Sequence, residues 1–107
     1  MKKFEVIVTP QAEADILAFR YIHDHSPLHA AHWIQTLYAE IDTLENFPER
    51  CGYAREREYL EVALRQLIFK SHRVIFLVDS ANAVVHVLHV KHAKQLAVGE
   101  PDLEGTS

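Results

Sequence analysis

The sequence predicts an α+β domain: an N-terminal strand, a two-helix antiparallel hairpin, then a three-stranded antiparallel meander, with the helices packed on one face of the sheet. Three observations carry this. The runs Val62–Phe69, Val74–Val78 and Val84–Val90 are rich in Val, Ile, Leu and Phe, and polar turn formers part them. Runs of that length and composition read as strands. Their connectors, Lys70 to Arg73 and Asp79 to Ala83, fit hairpins and are too short for a parallel crossover. Upstream, two stretches repeat apolar residues at helical spacing, each opened by a hydroxyl residue followed by proline.

In chain order, Phe4–Thr9 is a short strand with Phe4, Val6 and Val8 on one face. Thr9-Pro10 supplies an N-cap hydroxyl and a first-turn proline, and Glu13 and Asp15 suit the positive helix end. Ala14, Leu17, Ala18, Tyr21 and Ile22 form a stripe expected to face the core, with His23 and His25 in the last turn. Ser26-Pro27 repeats the start signal. In the second helix Ala30, Ile34, Leu37, Ile41 and Leu44 recur at three and four residues, widened by Trp33 and Tyr38. Asn46-Phe47-Pro48 ends it, because a residue before proline resists helical geometry. Glu49 to Glu61 is the one long irregular stretch, read as a solvated loop or a mobile one beside a binding surface. Lys91–Val98 suits a helical turn. Residues 1–98 are expected to form one domain, and 99–107 (GEPDLEGTS) a flexible acidic tail.

Composition narrows the function classes. A chain of 107 residues with 49% apolar and 24% charged side chains fits one soluble domain with one core. No apolar run approaches the roughly 20 residues of a membrane helix. Met1 to Glu5 leads directly into a strand without a signal-peptide apolar region, so the cytoplasm is expected and no membrane partner. The lone Cys51 reads as an incidental thiol. The net charge of −4 argues against general nucleic-acid affinity, but its distribution is uneven. Residues 1–60 carry 6 basic and 10 acidic side chains, whereas 62–98 carry five basic residues (Arg65, Lys70, Arg73, Lys91, Lys94) and only Asp79 as an acid. A basic sheet suits an acidic partner; strand edges also carry cations to discourage edge pairing.

Eight histidines invite a metal reading. Strand alternation sends His86 and His89 to opposite faces, and the Ser26-Pro27 break misaligns His25, His29 and His32. There is no HExxH, cysteine pair or carboxylate-rich loop, so no metal is expected. A glycine-rich phosphate loop, a nucleophile elbow and a dinucleotide fingerprint are also absent, and no cofactor is expected. What remains is Arg, Lys and His on one small sheet. Such a set can cleave RNA without metal: one group takes the 2′-hydroxyl proton, cations hold the phosphorane's charge, and another group protonates the leaving oxygen. Arg73 could hold phosphate bidentately and His92 serve as acid or base. The same residues serve equally as partner contacts or solvated edge charges.

The element order, with Val8-Thr9-Pro10-Gln11-Ala12-Glu13-Ala14-Asp15, Asn46-Phe47-Pro48-Glu49-Arg50, His72-Arg73-Val74-Ile75-Phe76-Leu77-Val78-Asp79 and Val87-Leu88-His89-Val90-Lys91-His92-Ala93, resembles the RelE/ParE superfamily of bacterial type II toxins. The likeness covers residues 4 to 94, and the first two segments sit closest to the ParE, or plasmid-stabilisation, branch. It implies a cytoplasmic growth-inhibiting toxin neutralised by a cognate antitoxin, with operator DNA bound only through the antitoxin. RelE-like members cut messenger RNA in the ribosome; ParE-like members poison DNA gyrase and are not nucleases.

Carried across, Arg73 falls on the strand arginine that RelE-like nucleases use on phosphate, Arg65 on a basic position one strand earlier, and His92 near the C-terminal catalytic position. No tyrosine follows Tyr59, and the lysine-rich middle of RelE proper is missing, which favours the ParE branch. A RelE-type enzyme using Arg65, Arg73 and His92, or a non-toxic binding module of the same fold, stand as alternatives. Arg73, His89, Lys91, Lys94 and Trp33 are the expected target- or antitoxin-binding residues. A groove for an amphipathic antitoxin segment exposes apolar surface, so self-association, or a hetero-oligomer with the antitoxin, is expected.

Overall fold

A computed structural model of the chain describes residues 3–22, 27–58 and 62–93. His23, His25, the Ser26 cap, Tyr59, Lys94 and the 99–107 tail lie outside the described residues. The elements are β1 (Glu5–Val8), α1 (Pro10–Ile22), α2 (Pro27–Asp42), β2 (Arg65–Phe69), β3 (His72–Asp79) and β4 (Val84–His92), with single 3₁₀ turns at Thr43–Glu45, Pro48–Arg50 and Arg55–Glu58. The four strands make one sheet ordered β1-β4-β3-β2. The expected meander forms through antiparallel β2–β3 and β3–β4 pairing. After the helical crossover, β1 closes the far edge by pairing in parallel with β4, from Glu5 opposite Val84 to Val8 opposite Val87.

Helix α1 starts as its residues dictate. The Thr9 hydroxyl accepts from the Ala12 N–H at 3.3 Å and donates to the Val87 carbonyl at 2.7 Å, so one side chain caps the helix and ties it to the sheet. The buried stripe is Ala12, Ile16 and Phe19 rather than the one read from the sequence, for Leu17 is 50% exposed and Ala14 and Ala18 are also exposed. In α2, Ala30, Leu37 and Ile41 are buried as expected, and Leu44 follows in the next turn. Leu37, Ile41 and Leu44 pack on Val74, Phe76, Val85, Val87 and Val90, with Trp33, Ile34 and Tyr38 at the margin.

Strand β3 begins two residues earlier than its apolar run, because the β2–β3 turn is only Lys70-Ser71 and Phe69 pairs directly with His72. It is buried on both faces, from His72 through Phe76. The second cover comes from residues 51–58 and 62–64. There Tyr53 pairs with Arg65, and Ala54 and Leu64 are buried against Ile75 with Leu77 and Leu88 alongside, while Glu49, Arg50, Gly52, Arg55 and Arg57 stay exposed, so the stretch is a solvated loop only in part. Strand β4 extends through Lys91 and His92, which lie opposite Arg73 and His72, in place of a helical turn beginning at Lys91.

The β3–β4 register shifts between Ile75 and Phe76, leaving Leu88 as the extra residue of a bulge. His86 and His89 therefore sit opposite Leu77 and Ile75, both on the outer face, and simple alternation fails to separate them. Among the described residues, no three His, Cys, Asp or Glu side chains gather as a metal site requires.

Candidate functional site

Strand register distributes the predicted cations over two faces. Arg73, second residue of β3, projects on the outer face beside Ile75. Its guanidinium donates in parallel to both Glu56 carboxylate oxygens, at 2.9 Å each, and to Gln66 Oε1 at 3.0 Å. Arg73 is 5% exposed and Glu56 fully buried, while Arg73 Nε is buried without a hydrogen-bond partner. Burial alone would push the Glu56 carboxyl up. The Arg73 hydrogen bonds, one that the carboxylate accepts from Glu56's own backbone N–H, and the charges of Arg73 and Arg55 outweigh it and hold the group below the ordinary carboxylate range. A carboxylate already occupies both Nη groups of Arg73 in the bidentate geometry that a phosphate would need.

Arg65 lies opposite Phe76, a helix-side position, and so emerges on the other face. Its Nη1 donates to the Cys51 carbonyl at 2.7 Å and its Nη2 to the Tyr53 hydroxyl at 3.3 Å. Arg65 and Arg57 both stack on the Tyr53 ring, at 4.3 and 4.0 Å from its centroid. His92, opposite His72, shares the helix side but sits at the far end of the strands. Four residues of β3 separate the two levels, about 13 Å of rise. Arg65, Arg73 and His92 are not brought together.

A different set does converge, at the end of the sheet where β3 begins and β4 ends. The buried His72 ring packs edge-on to Phe19, Trp33 and His92, with centroids at 4.5, 5.1 and 5.3 Å. Trp33 also borders a cavity of about 350 Å³ lined by His29, His32 and Lys70. Phe19, 6.4 Å from Trp33, leads to a second hollow of about 420 Å³ beside Asp15, His89 and Lys91. Asp15 accepts from the Val90 N–H at 3.0 Å and lies 3.6 Å from His89 Nδ1, filling the edge of β4 beyond the reach of β1. Of the expected binding residues, Trp33, His89 and Lys91 border this rim, Arg73 is enclosed elsewhere, and Lys94 lies outside the described residues.

Sequence reasoning missed Glu56, Gln66, His32, Lys70 and His72. Glu56 offered one signal: in the Arg55 to Glu58 run of alternating charge, one carboxylate had to face the sheet. His72 offered another, since it directly precedes Arg73 and so had to point to the opposite side.

A four-stranded sheet with helices on one face and an arginine–carboxylate pair buried on the other, ending in an aromatic, histidine-rich rim, defines a small α+β domain. Comparison with known proteins gives it a family. A sequence model described as the ParE toxin of the type II toxin–antitoxin system, parDE, matches residues 6–97, and the chain belongs to that family. It is a ParE-type toxin of the RelE/ParE superfamily. Among solved structures, it is similar to a chain of the chromosomal ParDE toxin–antitoxin system from P. aeruginosa, at 20% identity and TM-score 0.66, over 86% of this chain and 98% of that one. It is also similar to a chain of the RelBE2 toxin–antitoxin complex from Mycobacterium tuberculosis, at 22% identity and TM-score 0.59, over 86% and 93% of the two chains. The search of curated proteins returned no match. Among the described residues, no helix is long and apolar enough to cross a membrane.

Proposed function

We propose that this toxin acts on DNA gyrase as a non-nucleolytic poison, and that a cognate antitoxin neutralises it by covering the Phe19–Trp33–His92 rim. The observation that carries the reading is the Glu56–Arg73 pair. An arginine that is to meet a scissile phosphate must present N–H groups at a surface, whereas Arg73 is 5% exposed, with its Nη groups donating to Glu56 and Gln66 and its Nε–H buried. Arg65 and His92 are too far apart to complete an acid–base constellation, which requires hydrogen-bond reach of one substrate. Both features weigh against ribosome-dependent cleavage of messenger RNA. The net charge of −4 adds to this, since ribosomal RNA repels an acidic chain. For the antitoxin, support comes from the rim itself: aromatic rings and cations stand together at one edge, where an amphipathic, acidic segment fits. Operator DNA is then reached only through the antitoxin.

Parallel assays on the purified chain test this. It should abolish supercoiling by gyrase and leave ribosome-bound messenger RNA intact. Cleavage of the message with supercoiling untouched would overturn the proposal in favour of the RelE type.

A further inference from the structure

The cavity between the start of α2 and the β2–β3 turn combines features that no core requirement explains. Its described lining residues are His29, His32, Trp33 and Lys70, with no carboxylate among them. The first turn of α2 also lacks an acid, although the chain as a whole carries −4. Leu28, at the same end of α2, is 82% exposed.

Lys70 adds an independent sign. It is the first residue of the two-residue turn between Phe69 and His72, and its φ is 52°. Two-residue hairpins with a positive φ there take glycine, because a side chain in the left-handed region crowds its own backbone. Here the position holds a long cation instead, exposed and 5.4 Å from the Phe69 ring centroid. Backbone strain of this kind concentrates at binding surfaces. The fold tolerates an unfavourable residue and so sets an ammonium group at the cavity wall.

We propose that this cavity docks an acidic peptide segment of a partner protein, one carboxylate meeting Lys70 and the His32 ring, an adjoining apolar side chain resting on Trp33 and Leu28. A volume of about 350 Å³ lies at the small end of ligand pockets and suits one or two side chains. A nucleic acid is the poorer occupant, because a polyanion spreads its charge over a surface that is acidic on balance, whereas one carboxylate needs only the local cations. The contact deepens the antitoxin reading and rests on it for the partner's identity, but its chemistry can be tested separately.

Trp33 is the single tryptophan of the chain, so its emission reports on the cavity directly. The probe is a blocked tetrapeptide with two acidic residues between leucines, compared with its counterpart carrying the corresponding amides. The acidic peptide should change Trp33 emission saturably, and the amide peptide should bind at least about tenfold more weakly, equivalent to about 1.4 kcal/mol. Lys70→Gly should weaken the acidic peptide by a similar factor while melting at no lower temperature than the parent, since the turn strain is relieved. Lys70→Glu, which keeps the strain, should abolish binding. Absence of saturable binding, equal affinity for the two peptides, an unaltered Lys70→Gly titration, or stronger binding of a four-nucleotide DNA would each overturn the proposal. The antitoxin separates the two readings. If it binds the parent and Lys70→Gly alike, the contact is wrong and the toxin reading stands. If it fails to bind the parent while the peptides discriminate, the toxin reading fails and the contact stands.

Discussion

Removing the Glu56 carboxylate should destabilise the protein more than any single change on its surface. In Glu56→Ala, Arg73 keeps only its 3.0 Å bond to Gln66 and loses both 2.9 Å bonds to the carboxylate. Its side chain is 6% exposed, so water reaches it poorly and the charge stays uncompensated. Breaking one partner of a buried pair costs about 3–5 kcal/mol, a large part of the 5–15 kcal/mol by which a domain of this size is stable. At roughly 4–8 °C per kcal/mol, the melting temperature should fall by at least about 12 °C. Urea denaturation followed by Trp33 emission measures it. The partner variant Arg73→Met should lose a comparable amount, and the pair Glu56→Leu with Arg73→Met much less than the sum, because two apolar side chains remove both desolvation penalties. The pH dependence supplies a second readout. Glu56's carboxyl is held low in the fold, so its contribution is fully present above the unfolded value of about 4.3 and disappears as pH falls through the folded value. The stability gap between the parent and Glu56→Gln should therefore narrow on acidification below pH 4. A loss under about 1 kcal/mol for Glu56→Ala, or strict additivity in the double variant, would refute the reasoning.

Two further outcomes follow from local geometry. Phe47 holds a left-handed φ of 46° while 61% exposed, so Phe47→Gly relieves strain and sacrifices little burial; the unfolding free energy should rise by up to about 1 kcal/mol, read from a higher urea midpoint. Burial pushes the Cys51 thiol up against the opposing charges of Arg50 and Arg65, so alkylation by iodoacetamide at pH 8 should run slower than for free cysteine, and urea should restore the rate.

Much of the fold was legible because several independent signals agreed. Thr9-Pro10 marked the α1 start, three β-branched runs marked the meander, and the Leu37, Ile41, Leu44 series marked the buried side of α2. The α1 face was not legible, for a reason in its sequence. Ala12, Ile16 and Phe19 make a stripe as regular as Ala14, Leu17, Ala18 and Tyr21, so periodicity cannot choose between them. The choice is made from outside the helix, by the Thr9 tie to Val87 and by Asp15 reaching the Val90 amide, which fix the helix's rotation on the sheet. The histidine alternation failed for a similar reason: a one-residue bulge at Leu88 is set by β3, and nothing in β4 announces it.

The site residues divide along the same line. Trp33, His89 and Lys91 border surface hollows as expected, because aromatic and basic residues near strand and helix ends reach a surface whatever the details of packing. Arg73 was found as well, yet its circumstances could not be read, since they depend on a contact with Glu56 across 17 positions of chain. An apolar outer face of β3 requires a covering segment, and a cover laid over Arg73 must bring a counter-charge with it or leave a buried cation unpaired. That requirement makes Glu56 structural rather than incidental. It also sets the condition under which this fold can act as a nuclease: the covering segment must either lack its carboxylate or lift to release the arginine. In this chain the cover keeps its carboxylate, with Glu56 buried and both its oxygens engaged on Arg73, whereas His89 and Lys91 border the hollow at the β4 edge.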